Sequence, residues 1–192
     1  MQIDILTIFP KMFNAVLGES IIKRAQEKGV VTINTIDLRQ FTKDKHKKVD
    51  DKPFGGGAGM VMCVEPFFEA INYMRRKTKN KRLKTKIILM SPKGPTFNQK
   101  IAQKMSKYEH IILLCGHYEG IDERVRENLI DEEISIGDYV VTGGELPAMI
   151  VIDAVARLVP GVLGNEDSFK DDSFSNGLLE YPHYTRPENY KG

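Results

Sequence analysis

The chain has 192 residues, 41% of them hydrophobic and 28% charged, with a formal net charge of +2, which suits one domain with a real core or one domain plus a fragment of another. No apolar run approaches the roughly 18 residues of a membrane span and the N-terminus lacks a signal-peptide pattern, so we expect a cytoplasmic protein. Cys63, Cys115 and the four scattered histidines have no metal-ligand spacing, so we predict no disulfide framework and no metal site.

Strand and helix patterns alternate through the first part of the chain. Apolar residues predict a strand over 2–9, and one stripe (Met12, Val16, Leu17, Ile21, Ile22 and Ala25) predicts a helix over 11–28 that stops at Gly29. A strand over 30–38 follows. Residues 42–63 are polar and then glycine-rich, which indicates a long functional loop. A helix over 65–76 begins beside Pro66.

The same alternation continues to residue 158. The pattern predicts strands over 86–90, 110–114 and 133–136, and helices over 98–107, 123–128 and 146–158. Asp153 is expected to be buried in the last helix as the structural partner of a cation. This order favours an α/β fold with a mostly parallel sheet and helices on both faces.

The end of the chain has a different composition. Residues 164–177 contain almost no aliphatic side chain and predict a mobile linker. Residues 178–192 are too few to form a second core, so the expected division is a domain over 1–163, the linker, and a short terminal segment.

Three predicted strands end in turns rich in glycine or proline. These turns are Pro92-Lys93-Gly94-Pro95, Cys115-Gly116-His117-Tyr118-Glu119-Gly120 and Ser135 to Pro147. Loops at the carboxyl ends of parallel strands build the ligand crevice of open sheets, and glycine leaves the backbone uncovered for a flat ligand. Because no turn carries a phosphate-loop lysine, we predict a small ligand other than a nucleoside triphosphate.

A fourth glycine cluster, Gly55-Gly56-Gly57-Ala58-Gly59, lies in the long polar loop. It lacks the Gly-Lys-Ser/Thr ending of a phosphate loop and follows no buried strand. Lys47, Lys48 and Lys52 flank it. It is therefore interpreted as a flexible clamp over a polyanion, and the alternative is a merely flexible loop.

Charge is distributed unevenly along the chain. Residues 1–107 have 22 lysines and arginines against 9 acidic residues, a net charge of +13, whereas residues 108–192 have 6 against 17, a net charge of −11. Eight of the twelve residues from Arg75 to Lys86 are basic, and a second cluster contains Lys43, Lys45, Lys47 and Lys48. Clustered cations favour a nucleic-acid partner through counterion release, the alternative being two solvated loops.

Three further features allow two interpretations each. Arg157 is near the end of an apolar helix, where arginine commonly extends to solvent beside the helix dipole. Asp172 reads by itself as a solvated acidic residue of the linker. Pro182-His183-Tyr184-Thr185-Arg186-Pro187 suits contact with a base or a phosphate, or is a surface turn.

Several of these motifs together carry a family resemblance. Residues 53–60, Cys115 to Arg124, Ser135 to Pro147 and Pro182 to Pro187 closely resemble bacterial tRNA (guanine-N1)-methyltransferase, of the knotted SPOUT class, along the whole chain. The resemblance implies a deep trefoil knot in the second half, S-adenosylmethionine as cofactor, guanine 37 of tRNA as target, and a homodimer whose active sites lie at the subunit interface.

The resemblance also assigns site residues. The cofactor would contact Pro92, Gly116, Tyr118, Gly120, Ile136, Gly137, Asp138, Tyr139, Val140, Val141, Gly143, Gly144, Leu146 and Pro147. The substrate would contact Gly57, Gly59, Glu119 and His183. Asp172 falls at the position of the family's general base, and Arg157 at that of an arginine near the target guanine.

The implied chemistry gives these two residues distinct roles. Guanine N1 carries a proton whose loss pushes negative charge onto O6, so a carboxylate must take the proton while a cation faces the oxygen. Asp172 in a linker could become ordered only when tRNA binds, which would couple catalysis to the correct substrate.

The resemblance has two departures and leaves alternatives open. His117 stands where relatives often carry arginine, and the family continues into a helical C-terminal domain of which only the start is expected here, at 178–192. The family also suggests a magnesium requirement, for which the sequence has no clear ligand cluster. The alternatives are a non-catalytic, dimeric tRNA-binding module, and a knotted methyltransferase with another RNA target.

Overall fold

The computed structural model describes residues 1–77, 84–164, 172–175 and 177–190. Its elements alternate along the chain as expected. The strands are β1 (Gln2–Thr7), β2 (Thr32–Asp37), β3 (Asp50–Asp51), β4 (Val61–Met62), β5 (Thr85–Met90), β6 (His110–Cys115) and β7 (Glu132–Ile134). The α-helices are α1 (Asn14–Leu17), α2 (Ser20–Glu27), α3 (Val64–Lys77), α4 (Gln99–Met105), α5 (Glu123–Asn128) and α6 (Glu145–Ala156).

Five strands form one sheet in the order β2-β1-β6-β5-β7, and all neighbouring pairs are parallel. The central strand β6 is buried along its whole length. Such a run of apolar residues is expected for a strand covered on both faces. The predicted α/β fold with a parallel sheet is therefore confirmed.

Alternate residues of the strands supply two separate cores. Ile111, Leu113 and Cys115 pack on one face of the sheet, with buried residues of α2, α4 and α6. Ile112 and Leu114 pack on the other face, with buried residues of α3 and α5. Because side chains alternate along a strand, this division places helices on both faces. Each fully buried aliphatic side chain contributes about 1.5–3 kcal/mol through its removal from water.

The predicted helix over 11–28 is wrong as a continuous element. A short 3-10 helix, α1 and α2 replace it, and Ser20 has a φ of 53° at the break. The Gln26 side-chain amide donates to the Leu17 carbonyl at 2.7 Å, which satisfies a group that a continuous helix would have bonded internally. The break keeps Leu17 in the core, whereas Met12 and Val16 of the predicted stripe are exposed.

Two further expectations change in the structure. Asp153 is exposed on α6 and not buried, because its helical position faces away from the sheet. The long polar loop contains an antiparallel pair, β3 with β4, which closes residues 52–60 into a hairpin loop. No helix among the described residues is long and apolar enough to cross a membrane.

The predicted linker lies mostly outside the described residues, which omit 165–171 and 176. The described residues 178–190 contain no assigned helix or strand and are exposed. The central part of the basic run, residues 78–83, also lies outside the described residues. The division of the chain into two domains and a linker stays a prediction.

Candidate functional site: a cleft at the carboxyl ends of three parallel strands

A cleft of about 320 Å³ lies where β5, β6 and β7 end. These strands are neighbours in the sheet, so the turns that follow them meet at one edge. The cleft is lined by residues of the turns after β5 and β6 and by most of residues 133–144. The predicted convergence of the three turns is therefore observed.

The turns after β5 and β7 are joined by backbone hydrogen bonds. The Ser91 amide donates to the Ile134 carbonyl at 3.0 Å, the Phe97 amide to the Ser135 carbonyl at 2.8 Å, and the Ser135 amide to the Pro95 carbonyl at 3.1 Å. These bonds satisfy backbone groups that would otherwise be left unpaired near the cleft floor. They hold one wall of the cleft in a fixed shape.

The turn after β6 is packed directly against the start of α6. The Gly144 amide donates to the Gly116 carbonyl at 2.8 Å, and His117 forms a β-bridge with Gly143. A Cβ atom at Gly144 would lie 2.7 Å from the Cα of Cys115, closer than real Cβ atoms come to backbone. Glycine at 144 is therefore required by the close approach of two main-chain segments.

Residues 136–141 form an open rim of the cleft. Gly137 has a φ of 139°, which favours glycine, and its Cα lies beside the ring of Tyr139. Val140 is 94% exposed, and Tyr139 is also exposed. Exposed apolar groups above uncovered backbone suit a flat ligand that stacks on side chains and bonds to the main chain.

A buried carboxylate lies behind the glycine turns. Glu145, in the first turn of α6, is 2% exposed and accepts a hydrogen bond from the Thr7 hydroxyl at 2.7 Å. Its other oxygen lies 4.0 Å from Nδ1 of His117, and that nitrogen is buried without a hydrogen-bond partner among the described atoms. A carboxylate at a helix N-terminus is stabilised by the helix dipole. Glu145 thus ties β1, α6 and the turn after β6 together.

Charged side chains alternate along the cleft wall beneath the turn after β6. Lys93 Nζ lies 3.7 Å from Glu123 Oε2, and Arg126 Nη1 lies 3.6 Å from Glu133 Oε2. All four residues line the cleft. The wall therefore offers both charge signs to a zwitterionic ligand.

Neither cysteine is suited to nucleophilic chemistry. Burial, with a smaller effect of the Glu145 charge, holds the pKa of the Cys115 thiol well above its usual range. Burial and the nearby Asp51 carboxylate also raise the pKa of Cys63. Since the thiolate is the reactive form, both residues are expected to act as small core side chains.

Most of the residues assigned to the cofactor line the cleft. Asp138 and Leu146 do not: Asp138 is exposed on the rim, and Leu146 is on the outer face of α6. The others are found in the lining: Pro92, Gly116, Tyr118, Gly120, Ile136, Gly137, Tyr139, Val140, Val141, Gly143, Gly144 and Pro147.

The two residues expected to be catalytic form an ion pair. Arg157 Nη2 donates to Asp172 Oδ2 at 2.6 Å. Both side chains are partly exposed, so solvent weakens the pair and a substrate can replace one partner. Neither residue lines the cleft of its own chain.

The residues assigned to the substrate lie in two places. Glu119 lines the cleft, and a Cβ atom at Gly59 would collide with its carboxylate, so the hairpin loop that contains Gly57 and Gly59 touches the cleft wall. His183 lies outside the lining, where its ring is 3.1 Å from Glu180 and packs on Tyr181.

Sequence reasoning assigned no part in the site to Thr7, Glu145 or Arg126. Thr7 is 138 residues from Glu145 in the chain, and no local pattern links them. The acidic residue directly after Gly143-Gly144, at the start of an apolar helix, was the one available signal for Glu145.

Comparison with known proteins gives consistent results. The family model described as tRNA (Guanine-1)-methyltransferase TrmD matches residues 1–192. Proteins named tRNA (guanine-N(1)-)-methyltransferase from Carboxydothermus hydrogenoformans and Ruminiclostridium cellulolyticum are 60% and 59% identical over 192 residues. Both alignments cover 100% of this chain, with 74% and 81% of the respective relative.

A solved structure gives the same answer at the level of the fold. The crystal structure of tRNA (m1G37) methyltransferase from Aquifex aeolicus matches with a TM-score of 0.83 at 40% sequence identity. The match covers 100% of this chain and 78% of the other.

Proposed function

Because the chain belongs to the tRNA (guanine-1)-methyltransferase family, with the knotted fold of that family, and is an enzyme of that type, we propose that it methylates N1 of guanine 37 in tRNA. S-adenosylmethionine is the proposed methyl donor. The proposal has three parts: the cleft holds the donor, Asp172 and Arg157 act on the guanine, and a second copy of the chain brings these parts together.

The cleft fits the donor in its shape and chemistry. Main-chain groups of residues 136–141 are open to a flat adenine ring, and Tyr139 offers an aromatic surface beside them. Lys93, Glu119 and Glu123 offer charges of both signs for an amino-acid group. When bound, the donor supplies an electrophilic sulfonium methyl group and leaves as a neutral thioether.

The ion pair of Arg157 with Asp172 is the observation that carries the catalytic proposal. Guanine N1 must lose its proton before its electron pair can take the methyl group. Asp172 accepts that proton, so the N1–H bond breaks as the N1–methyl bond forms. Arg157 faces O6, where the negative charge develops, and an exposed pair at 2.6 Å keeps both groups ready for this division of roles.

Completion of the site requires a second copy. The pair does not line the cleft of its own chain, and the outer face of α6 exposes Leu146 (49%) and Ile150 (47%) on the same helix that leads to Arg157. Apolar side chains in such a row are favourable when another protein surface covers them. We propose a homodimer in which the pair of one protomer acts at the cleft of its partner.

The basic half of the chain supplies the proposed tRNA contact. Lys43, Lys45, Lys47 and Lys48 are exposed, as are Arg75 and Arg76 of the second basic cluster. A tRNA substrate also favours the cytoplasm as the location. The suggested magnesium requirement finds no group of three metal-binding side chains among the described residues, and no step of the proposal uses the ion.

The direct test is transfer of radiolabelled methyl groups to unmodified tRNA transcripts. A transcript with guanine 37 should be labelled, its nucleosides should include 1-methylguanosine, and a matched transcript with adenine 37 should stay unlabelled. Binding of both transcripts without transfer would instead support a non-catalytic tRNA-binding module. Equal labelling of both would indicate another target nucleotide.

A further inference from the structure

Phe54 is an aromatic side chain that nothing in the described chain covers. It is 99% exposed. The ring stands at the corner of a turn in which the Gly56 amide donates to the Pro53 carbonyl at 3.3 Å, and Gly55 has a φ of 85°. A positive φ at the third position is typical of a type II turn, which projects the second residue outward. An uncovered ring gives up the roughly 1.5–3 kcal/mol that its burial would contribute.

The backbone beside this ring is equally open. No protein atom lies within 4 Å of a Cβ position at Gly55, Gly56 or Gly57. Side chains would fit there without a clash, so packing does not demand these glycines. Their backbone conformation does, and the result is a bare main-chain surface next to an aromatic ring.

The other end of the loop is attached to the candidate site. The Glu119 amide donates to the Met60 carbonyl at 3.1 Å, and the Met62 amide donates to the Gly120 carbonyl at 2.9 Å. Glu119 and Gly120 both line the cleft. The exposed ring therefore belongs to a loop that is bonded to the cleft wall.

The charge around the loop indicates the chemistry of the ligand. Residues 43–52 contain five lysines and three aspartates, a net charge of +2, and all five lysines are exposed. The carboxylate of Asp44 is engaged by the amides of His46 and Lys48, at 2.8 and 3.0 Å. Exposed lysines beside an uncovered ring and bare backbone suit a strand of nucleic acid, whose phosphates meet the cations while a base meets the ring.

We propose that Phe54 stacks on a nucleobase of the tRNA next to the guanine that enters the cleft; this inference rests on the proposed function. An enzyme that modifies a base at its pairing edge must take that base out of the stack, which uncovers the face of a neighbouring base. Phe54 replaces the lost neighbour. A base–aromatic stack contributes about 1–3 kcal/mol, which corresponds to roughly a 5- to 150-fold change in affinity.

The test measures binding of a fluorescent anticodon-arm RNA to the full chain. Phe54→Ala should raise the Kd by about tenfold, Phe54→Leu should not restore binding, and Phe54→Trp should stay within about twofold of wild type. Because the lost contact is uncharged, the slope of log Kd against log salt should stay that of wild type in Phe54→Ala, whereas Lys48→Ala should reduce it. Phe68→Ala, which changes a half-exposed ring on α3, is the matched control and should bind as wild type does.

Abasic substitutions identify the base. One abasic nucleotide adjacent to guanine 37 should weaken binding to wild type and have no effect on Phe54→Ala, since both changes remove the same contact. Equal binding by wild type and Phe54→Ala, or additive losses at every abasic position, would overturn the inference. Failure of the wild-type chain to transfer methyl groups would instead overturn the proposed function, so the two failures are distinguishable.

Discussion

At the scale of single residues, Asp172 should separate methyl transfer from donor binding. Asp172→Asn removes the proposed proton acceptor and should lower the single-turnover transfer rate by about 10²–10⁴-fold. The Kd for S-adenosylmethionine should not change, because Asp172 does not line the cleft. The comparison uses rapid-quench transfer and calorimetric titration of the donor.

Asp153→Asn is the matched control for this substitution, because Asp153 is an exposed carboxylate on the same helix as Arg157, one turn before it. It should transfer at the wild-type rate. Wild-type transfer by Asp172→Asn would show that another group takes the proton.

Gly144 should tolerate no side chain. Gly144→Ala would place its Cβ 2.7 Å from the Cys115 Cα and 2.9 Å from the Gly116 nitrogen, so the turn after β6 must move. We expect loss of donor binding and a loss of stability of about 1–3 kcal/mol from overpacking, measured by calorimetry and urea unfolding.

Gly164→Ala is the control for that experiment, because no atom lies within 4 Å of its Cβ position. It should leave both the donor affinity and the urea midpoint unchanged. If Gly144→Ala also binds the donor normally, the close approach of the two segments is not essential to the cleft.

At the scale of the elements, the amino ends of the strands carry a buried polar network far along the sheet from the cleft. His110 Nε2 donates to Asp4 Oδ2 at 2.9 Å, and the Asn34 amide donates to Asp4 Oδ1 at 2.7 Å. Burial alone would raise the pKa of Asp4, but hydrogen bonds from His110, Asn34 and Gln2 together outweigh it and lower that pKa. The network joins β1, β2 and β6.

This network should make folding stability depend on acid pH. A carboxyl whose pKa is depressed in the folded state stabilises the fold above its unfolded pKa of about 3.9, and the contribution is lost as the pH falls through the lower, folded value. Wild type should therefore lose stability below about pH 4. Asp4→Asn should be less stable at pH 7, by about 1–3 kcal/mol, and its urea midpoint should fall less between pH 5 and pH 3. Equal acid sensitivity of the two proteins would assign the effect to other carboxyls.

Sequence periodicity predicted the elements around the site well. The buried runs of β5 and β6 read clearly as strands, and the turns after them were placed at one edge of the sheet before any coordinates. The break in the 11–28 region was missed because it depends on the Gln26 side chain bonding to Leu17, nine residues away. The contact of Thr7 with Glu145 was also inaccessible, since it exists only after β1 and α6 pack together.

At the scale of the whole molecule, the account depends on two parts of one site that lie apart on a single chain. The cleft is formed at the ends of β5, β6 and β7, whereas Arg157 and Asp172 pair beyond the end of α6. A twofold dimer contacts itself through the same face on both copies, so each cleft can receive the pair of the other protomer. The exposed apolar residues of α6 lie on that helix between the two parts.

Mixing two inactive variants tests this claim most directly. Tyr118→Ala damages the cleft and Asp172→Asn removes the base, so each homodimer should be inactive. After exchange of subunits at equal concentration, about half of the dimers should be mixed, each with one intact site, and transfer to guanine 37 should recover to about a quarter of the wild-type rate. A mixture as inactive as its two components would contradict the account, because the pair would then act on the cleft of its own chain.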